Sequence, residues 1–184
     1  MKITKTELEG CFVIEPQVFM DSRGYFFESY NAQKFNEATG LEVNFVQDNE
    51  ALSEHGVVRG LHLQRAPFLQ AKLLRVLMGK ILDVAVDVRQ DSPTYGRHFA
   101  IELSAENKLQ LFVPRGMAHG YSVLSERALV AYKCDMQYSR EHEDGIYLLD
   151  KELNIDWKID EKKMILSEKD QRQKSFKEFE AIRL

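Results

Sequence analysis

The stretch GVVRGLHLQ, Gly56–Gln64, reads as a strand, yet it carries an arginine, a histidine, a glutamine and an interior glycine. A plain core strand would place Val, Ile or aromatics there. His62 in this stretch, Lys72 at the head of KLLRVLMG and Tyr132 in ALVAYKCD are residue types that move protons or stabilise charge. A neutral imidazole is a competent general base near neutral pH, and an ammonium group can steady an oxyanion as it forms. Base plus oxyanion stabiliser is the equipment for removing a proton next to a carbonyl. A phenol can donate a proton from another direction. His119, in PRGMAHGY, adds a second histidine. Each of these has a plainer reading when taken alone: a structural strand histidine, a turn-capping histidine, a core aromatic.

The elements that position them are strands. Side chains alternate faces along a strand, so Gly60, His62 and Gln64 share one face and Arg59 lies on the other. Interior glycine marks a bulge or close approach, and a bulge at Gly60 would turn Arg59 and His62 toward one pocket. In KILDVAVDVR, Leu82, Val84, Val86 and Val88 alternate with Asp83, Ala85, Asp87 and Arg89, which predicts a half-buried strand of period two. DSPTYG breaks it, and RHFAIELS, KLQLFVP, HGYSVLS and ALVAYKCDMQY follow. Many short strands at close spacing predict a mainly β sandwich, barrel or jelly roll. DSRG, at 21–24, supplies a turn between two extended stretches. NAQKFNEATG fits a short helix with Asn31 as N-cap and Gly40 just past its end. The tail from Ser167 is charged and helically spaced, and SEKD has the pattern of a capping box with Ser167 at the N-cap and Asp170 at N3. No repeat or linker divides residues 1–184, so one domain is expected.

The chain has 184 residues, 44% hydrophobic and 29% charged, as an ordinary folded protein does. Its net charge of -4 argues against non-specific nucleic-acid binding and requires locally converging Arg or Lys for any anionic ligand. Two cysteines, Cys11 and Cys134, suit a reducing compartment and are too few for a cysteine zinc site. The N-terminus alternates polar and apolar residues, unlike a signal peptide or membrane span, so a cytoplasmic protein with no membrane partner is expected.

The P-x-G-x-x-H of PRGMAHGY and the strand around His62 resemble the two motifs of the cupin superfamily, whose metal-binding members present two His and a Glu, then another His. His62 and His119 match. Gln64 stands at the second histidine, and Lys72 stands seven residues before Gly79, where the glutamate would be. An ammonium repels a divalent metal and has no lone pair to give it. The motif is present and its metal site is dismantled, so no metal is expected.

The ordered set DSRGYFFESY, QDNEALS, GVVRGLHLQ, DVAVDVRQDSPTYG, PRGMAHGYSVLS, AYKCDMQY and LSEKD resembles the dTDP-4-dehydrorhamnose 3,5-epimerase family from about Gly10 to Asp170. The resemblance implies a homodimeric, cofactor-free cupin with a double-stranded β-helix. It implies epimerisation at C3 and C5 of dTDP-4-dehydro-6-deoxy-D-glucose, on the route to dTDP-L-rhamnose. It implies His62 as base, Asp170 as its carboxylate partner, Tyr132 as the acid on the opposite face and Lys72 as the enolate stabiliser. Arg23, Glu28, Gln47, Asp48, Asn49, Arg59, His119, Glu143 and Lys169 fall at or near the family's substrate contacts. Competing readings are a metal-dependent cupin, a non-catalytic sugar-nucleotide binder, and a relative that epimerises one carbon only.

Overall fold

A computed structural model describes all residues, 1–184. Two antiparallel sheets face each other. One has six strands in the order β1-β2-β10-β7-β12-β5: Lys2–Lys5, Phe12–Glu15, Gln110–Val113, Lys72–Met78, Arg127–Cys134 and Gln47–Glu54. The other has five in the order β13-β6-β11-β8-β9: Glu143–Gly145, Val58–Gln64, Met117–Val123, Lys80–Asp87 and His98–Ser104. This is a mainly β jelly roll, one of the three architectures the strand spacing predicts and the one the family resemblance implies. A separate hairpin, β3 (Val18–Asp21) and β4 (Gly24–Phe27), joins neither sheet and turns at Asp21–Gly24 as predicted.

Apolar side chains sort into three clusters. Leu74, Val76, Ala85, Leu111, Met117 and Val130 fill the space between the sheets. Helix α1 (Ala32–Thr39) seals the outer face of the six-stranded sheet by setting Phe35 against Phe12, Leu73 and Phe112. Asn31 caps it by accepting the Lys34 N–H at 3.1 Å, and Gly40 ends it at φ 71°. The C-terminal segment covers the outer face of the five-stranded sheet, where Ile146, Leu148, Trp157, Phe179 and Ile182 meet Val58, Leu61, Val84 and Val86.

That cover corrects the reading of β8. The strand is buried on both faces. Its apolar side points outward, to the C-terminal segment, and its aspartate side points inward. Asp83 and Asp87 are both fully buried. Period-two alternation identifies two faces but cannot say which one meets solvent when a later segment covers the apolar one. The tail itself is mostly irregular; its helix α2 is only Glu168–Gln171, capped by Ser167.

Candidate active site

Polar side chains of the two sheets face each other across the space between them, and each wall of the candidate site is built by one sheet. From the five-stranded sheet come His62 and Arg59 on β6, His119 on β11 and Asp83 on β8. From the six-stranded sheet come Lys72 on β7, Tyr132 on β12, and Gln47 and Asn49 on β5.

Gly60 makes the first wall possible. Val58, Leu61 and Leu63 all face the outer cluster, so the alternation breaks between Arg59 and Leu61. The register with β11 shifts at the same place, between His119 and Tyr121. Arg59 therefore reaches inward, donating from Nε to Ser53 Oγ at 3.1 Å, and His62 shares its side of the sheet. A Cβ on Gly60 would sit 2.6 Å from Gly120 Cα, and its φ is +134°. Glycine is required there on both counts.

His62 and His119 are register partners, and each is held by an aspartate. His62 Nε2 lies 2.5 Å from Asp170 Oδ1. The second Asp170 oxygen accepts from Ser167 Oγ at 2.7 Å, and the Asp170 N–H is capped by the same hydroxyl. The capping geometry and the histidine contact thus coexist on one residue. Burial alone would raise the Asp170 pKa, but the hydrogen bonds from His62 and Ser167 override it and hold the carboxyl below its ordinary value. An ionised Asp170 accepts Nε2–H, which leaves the lone pair of His62 on Nδ1. His119 Nε2 lies 2.7 Å from Asp83 Oδ1. The other Asp83 oxygen and the Tyr121 hydroxyl are buried without a hydrogen-bond partner.

On the opposite wall, desolvation lowers the Lys72 pKa, while Cys134, Glu143 and Asp83 act to raise it. Burial raises the Tyr132 pKa, so its phenol keeps its proton. Tyr132 is the register partner of Asn49, and Lys72 of Cys134. At the mouth, Glu143 accepts from the Tyr138 hydroxyl at 2.8 Å and pairs with Lys169. Burial alone would raise the Glu143 pKa, but these partners bring it below its ordinary value.

Of the sequence-predicted residues, the chain brings together His62, Asp170, Lys72, Tyr132, His119, Arg59, Gln47, Asn49, Glu143 and Lys169. It does not bring in Arg23 and Glu28. Arg23 is exposed in the hairpin turn, paired with Asp21 at 2.5 Å, and Glu28 pairs with Lys34 at 2.8 Å. Asp48 turns away from Gln47 and Asn49, and its carboxylate meets Lys133 at 2.9 Å. Asp83 and Tyr138 were not singled out from sequence. The signal for Asp83 was an acid between Leu82 and Val84; Tyr138 carried none. A cavity of about 810 Å³ elsewhere, bordered by Arg89, Pro93, Arg115 and Ile182, contains none of His62, Lys72, His119 and Tyr132. Gln64 is committed to backbone partners, and no three His, Cys, Asp or Glu side chains converge as a metal-ligand group.

Comparison with known proteins identifies the family. The family model described as dTDP-4-dehydrorhamnose 3,5-epimerase matches residues 5–178. A Shigella flexneri protein of that name is 48% identical over 170 residues, covering 92% of this chain and 93% of its own. The crystal structure of dTDP-4-dehydrorhamnose 3,5-epimerase from Elizabethkingia anophelis superposes with a TM-score of 0.93 at 56% identity, covering 96% of this chain and 97% of that one. A Legionella pneumophila dTDP-6-deoxy-D-glucose-3,5-epimerase in complex with dTDP-4-keto-L-rhamnose gives 0.95 at 42% identity, covering 100% and 98%. A jelly roll with two histidine–aspartate pairs on one wall and a lysine and tyrosine on the other, matched over nearly its whole length, places this chain in the dTDP-4-dehydrorhamnose 3,5-epimerase family.

Proposed function

We propose that the chain, acting as a single domain, epimerises C3 and C5 of dTDP-4-dehydro-6-deoxy-D-glucose to give dTDP-4-dehydro-L-rhamnose. The observation that carries this reading is the placement of His62 and Tyr132 on opposite sheets, with Lys72 on the strand next to Tyr132's. C3 and C5 both flank the C4 ketone. Removing either proton gives an enolate with its charge on the same oxygen, so one cation serves both steps.

His62, oriented by Asp170, takes the proton through Nδ1. The Lys72 ammonium stabilises the C4 oxyanion, and the Tyr132 phenol returns a proton to the other face. His62 then passes its proton to solvent, and solvent restores the phenol before the second carbon reacts. Arg59 supplies a planar cation for the diphosphate, with His119, Gln47, Asn49 and Lys169 as further contacts. The Asp48 carboxylate takes no part in this arrangement. Nothing in this scheme requires a metal or cofactor: Lys72 and Gln64 stand where ligands would be.

Arg23 and Glu28 belong to the same site in a homodimer, with the β3–β4 hairpin of one copy reaching the other. The hairpin's Phe19, Met20, Tyr25 and Phe26 are all exposed in one chain, which favours a protein partner for them. No helix is long and apolar enough to cross a membrane, and cytoplasmic sugar-nucleotide metabolism suits the proposed reaction.

The test is NMR of the product formed from dTDP-4-dehydro-6-deoxy-D-glucose in D₂O. Deuterium at both C3 and C5 with the L-rhamno configuration is expected. Deuterium and inversion at one carbon only would make the enzyme a single-position epimerase. No incorporation would sink the enzymatic reading.

A further inference from the structure

Gln64 sits on β6 where the metal-binding cupin motif carries a histidine, is buried, and spends every polar atom of its amide on backbone. Nε2 donates to the carbonyls of Phe68, at 2.7 Å, and Gln137, at 3.2 Å. Oε1 accepts the Ser139 N–H at 2.6 Å. The Gln137 and Ser139 contacts bracket Tyr138. Two more glutamines complete the hold: Gln47 Oε1 accepts the Tyr138 N–H at 3.0 Å, and Gln70 Nε2 donates to the Met136 carbonyl at 2.6 Å. The backbone from Met136 to Ser139 is therefore fixed residue by residue by three glutamine side chains.

Tyr138 is 54% exposed, so burial does not account for this hold on its backbone. Its hydroxyl is held as well, by Glu143, which is itself the register partner of Gln64. Fixing an exposed loop costs conformational entropy, and the cost is recovered if the loop must meet a ligand without further ordering.

We infer that Gln64 is a positioning residue for substrate binding: it holds Tyr138 and Glu143 as a preformed wall at the mouth of the His62 pocket. The inference rests on the functional reading above. A histidine at this position could not donate twice and accept once, so the change from ligand to clamp is specific to the amide.

The experiment compares wild type with Gln64→Leu, which keeps the bulk and loses all three bonds, and Gln64→Glu, which keeps only the acceptor for Ser139. For each, kcat, KM, calorimetric affinity for dTDP and amide exchange over residues 136–139 are measured, alone and with Tyr138→Ala. Gln64→Leu is expected to lose protection at Tyr138 and Ser139 and to raise KM and the dTDP Kd about tenfold, with kcat within about threefold. Gln64→Glu is expected to do the same, because its second oxygen would repel the Phe68 and Gln137 carbonyls that Nε2 now binds, and it carries the test if the leucine variant does not fold. In the Tyr138→Ala background the Gln64 change should add little, because both act through one wall. A fall in kcat at constant KM, additivity with Tyr138→Ala, or undiminished protection would overturn the inference. If the wild type bound dTDP but did not epimerise, the functional reading would fail, and exchange with dTDP affinity would still decide the role of Gln64.

Discussion

His62 and His119 stand opposite each other on β6 and β11, and each gives Nε2 to a buried aspartate, at 2.5 Å to Asp170 and 2.7 Å to Asp83. The two pairs differ in depth. His62 keeps 28% side-chain exposure, whereas His119 keeps 8% over a fully buried Asp83. The more open imidazole suits exchange of protons with substrate and solvent. The more enclosed one suits fixed hydrogen bonding.

His62→Ala is therefore expected to lower kcat by on the order of 10²–10⁴-fold and to abolish deuterium exchange with it. Asp170→Asn should retain part of the exchange, because the base remains while its tautomer and orientation are no longer held by a carboxylate. Near-normal exchange in His62→Ala would show that another group is the base.

Much of this site was legible before the fold was known. The glycine inside a strand marked the break that puts Arg59 and His62 on one side, because only a residue without Cβ tolerates φ +134° and the approach of Gly120. SEKD was legible as a cap, but spacing cannot show that the carboxylate also reaches a histidine 108 residues away in sequence. The direction of β8 was not legible: alternation is the same whether the aspartates face water or a polar interior, and Trp157 and its neighbours, which decide it, come later in the chain. Arg23 and Glu28 match family positions that one chain does not bring to His62, because each is paired locally, with Asp21 and with Lys34, and nothing local encodes the proposed contact with a second copy.

Lys72 is expected to set the alkaline limit of the proposed reaction. Desolvation lowers its pKa, so its ammonium loses its proton at a lower pH than an exposed lysine does. Oxyanion stabilisation is present below that folded-state pKa and is lost as pH rises through it. The kcat profile should fall on the alkaline side below the range of an ordinary lysine. Lys72→Met should reduce kcat by roughly 10²–10³-fold and abolish that limb. An alkaline limb unchanged in Lys72→Met would assign it to another group.

Gly60→Ala should cost roughly 3 kcal/mol, or on the order of 6–12 °C in Tm for a chain of this length. The added Cβ meets Gly120 backbone at 2.6 Å, and the positive φ is strained for alanine. Gly24→Ala is the control, since Gly24 has φ +131° with nothing within 4 Å of the added carbon. Equal losses in the two variants, measured by thermal unfolding, would show that φ alone matters at Gly60.

Exhaustive chelation should leave the rate unchanged. The amide of Gln64 is occupied by Phe68, Gln137 and Ser139, and Lys72 offers a charge of the wrong sign. Activity lost on chelation and restored by one divalent metal would refute the metal-free mechanism.

Tyr132→Phe should fail differently from His62→Ala. The ring packs against the inter-sheet core and is kept by phenylalanine, so stability should change little. Burial raises the phenol's pKa, which keeps it protonated and able to donate. Removing the hydroxyl leaves His62 and Lys72 in place, so the enolate still forms. His62 can then return solvent-derived deuterium only to the face from which the proton left. The variant should accumulate deuterium without inversion: exchange should persist while full epimerisation falls by on the order of 10²-fold. Parallel measurement of deuterium content by mass spectrometry and configuration by NMR separates the two rates. Equal reduction of both would remove the support for a two-face mechanism and return Tyr132 to a packing role.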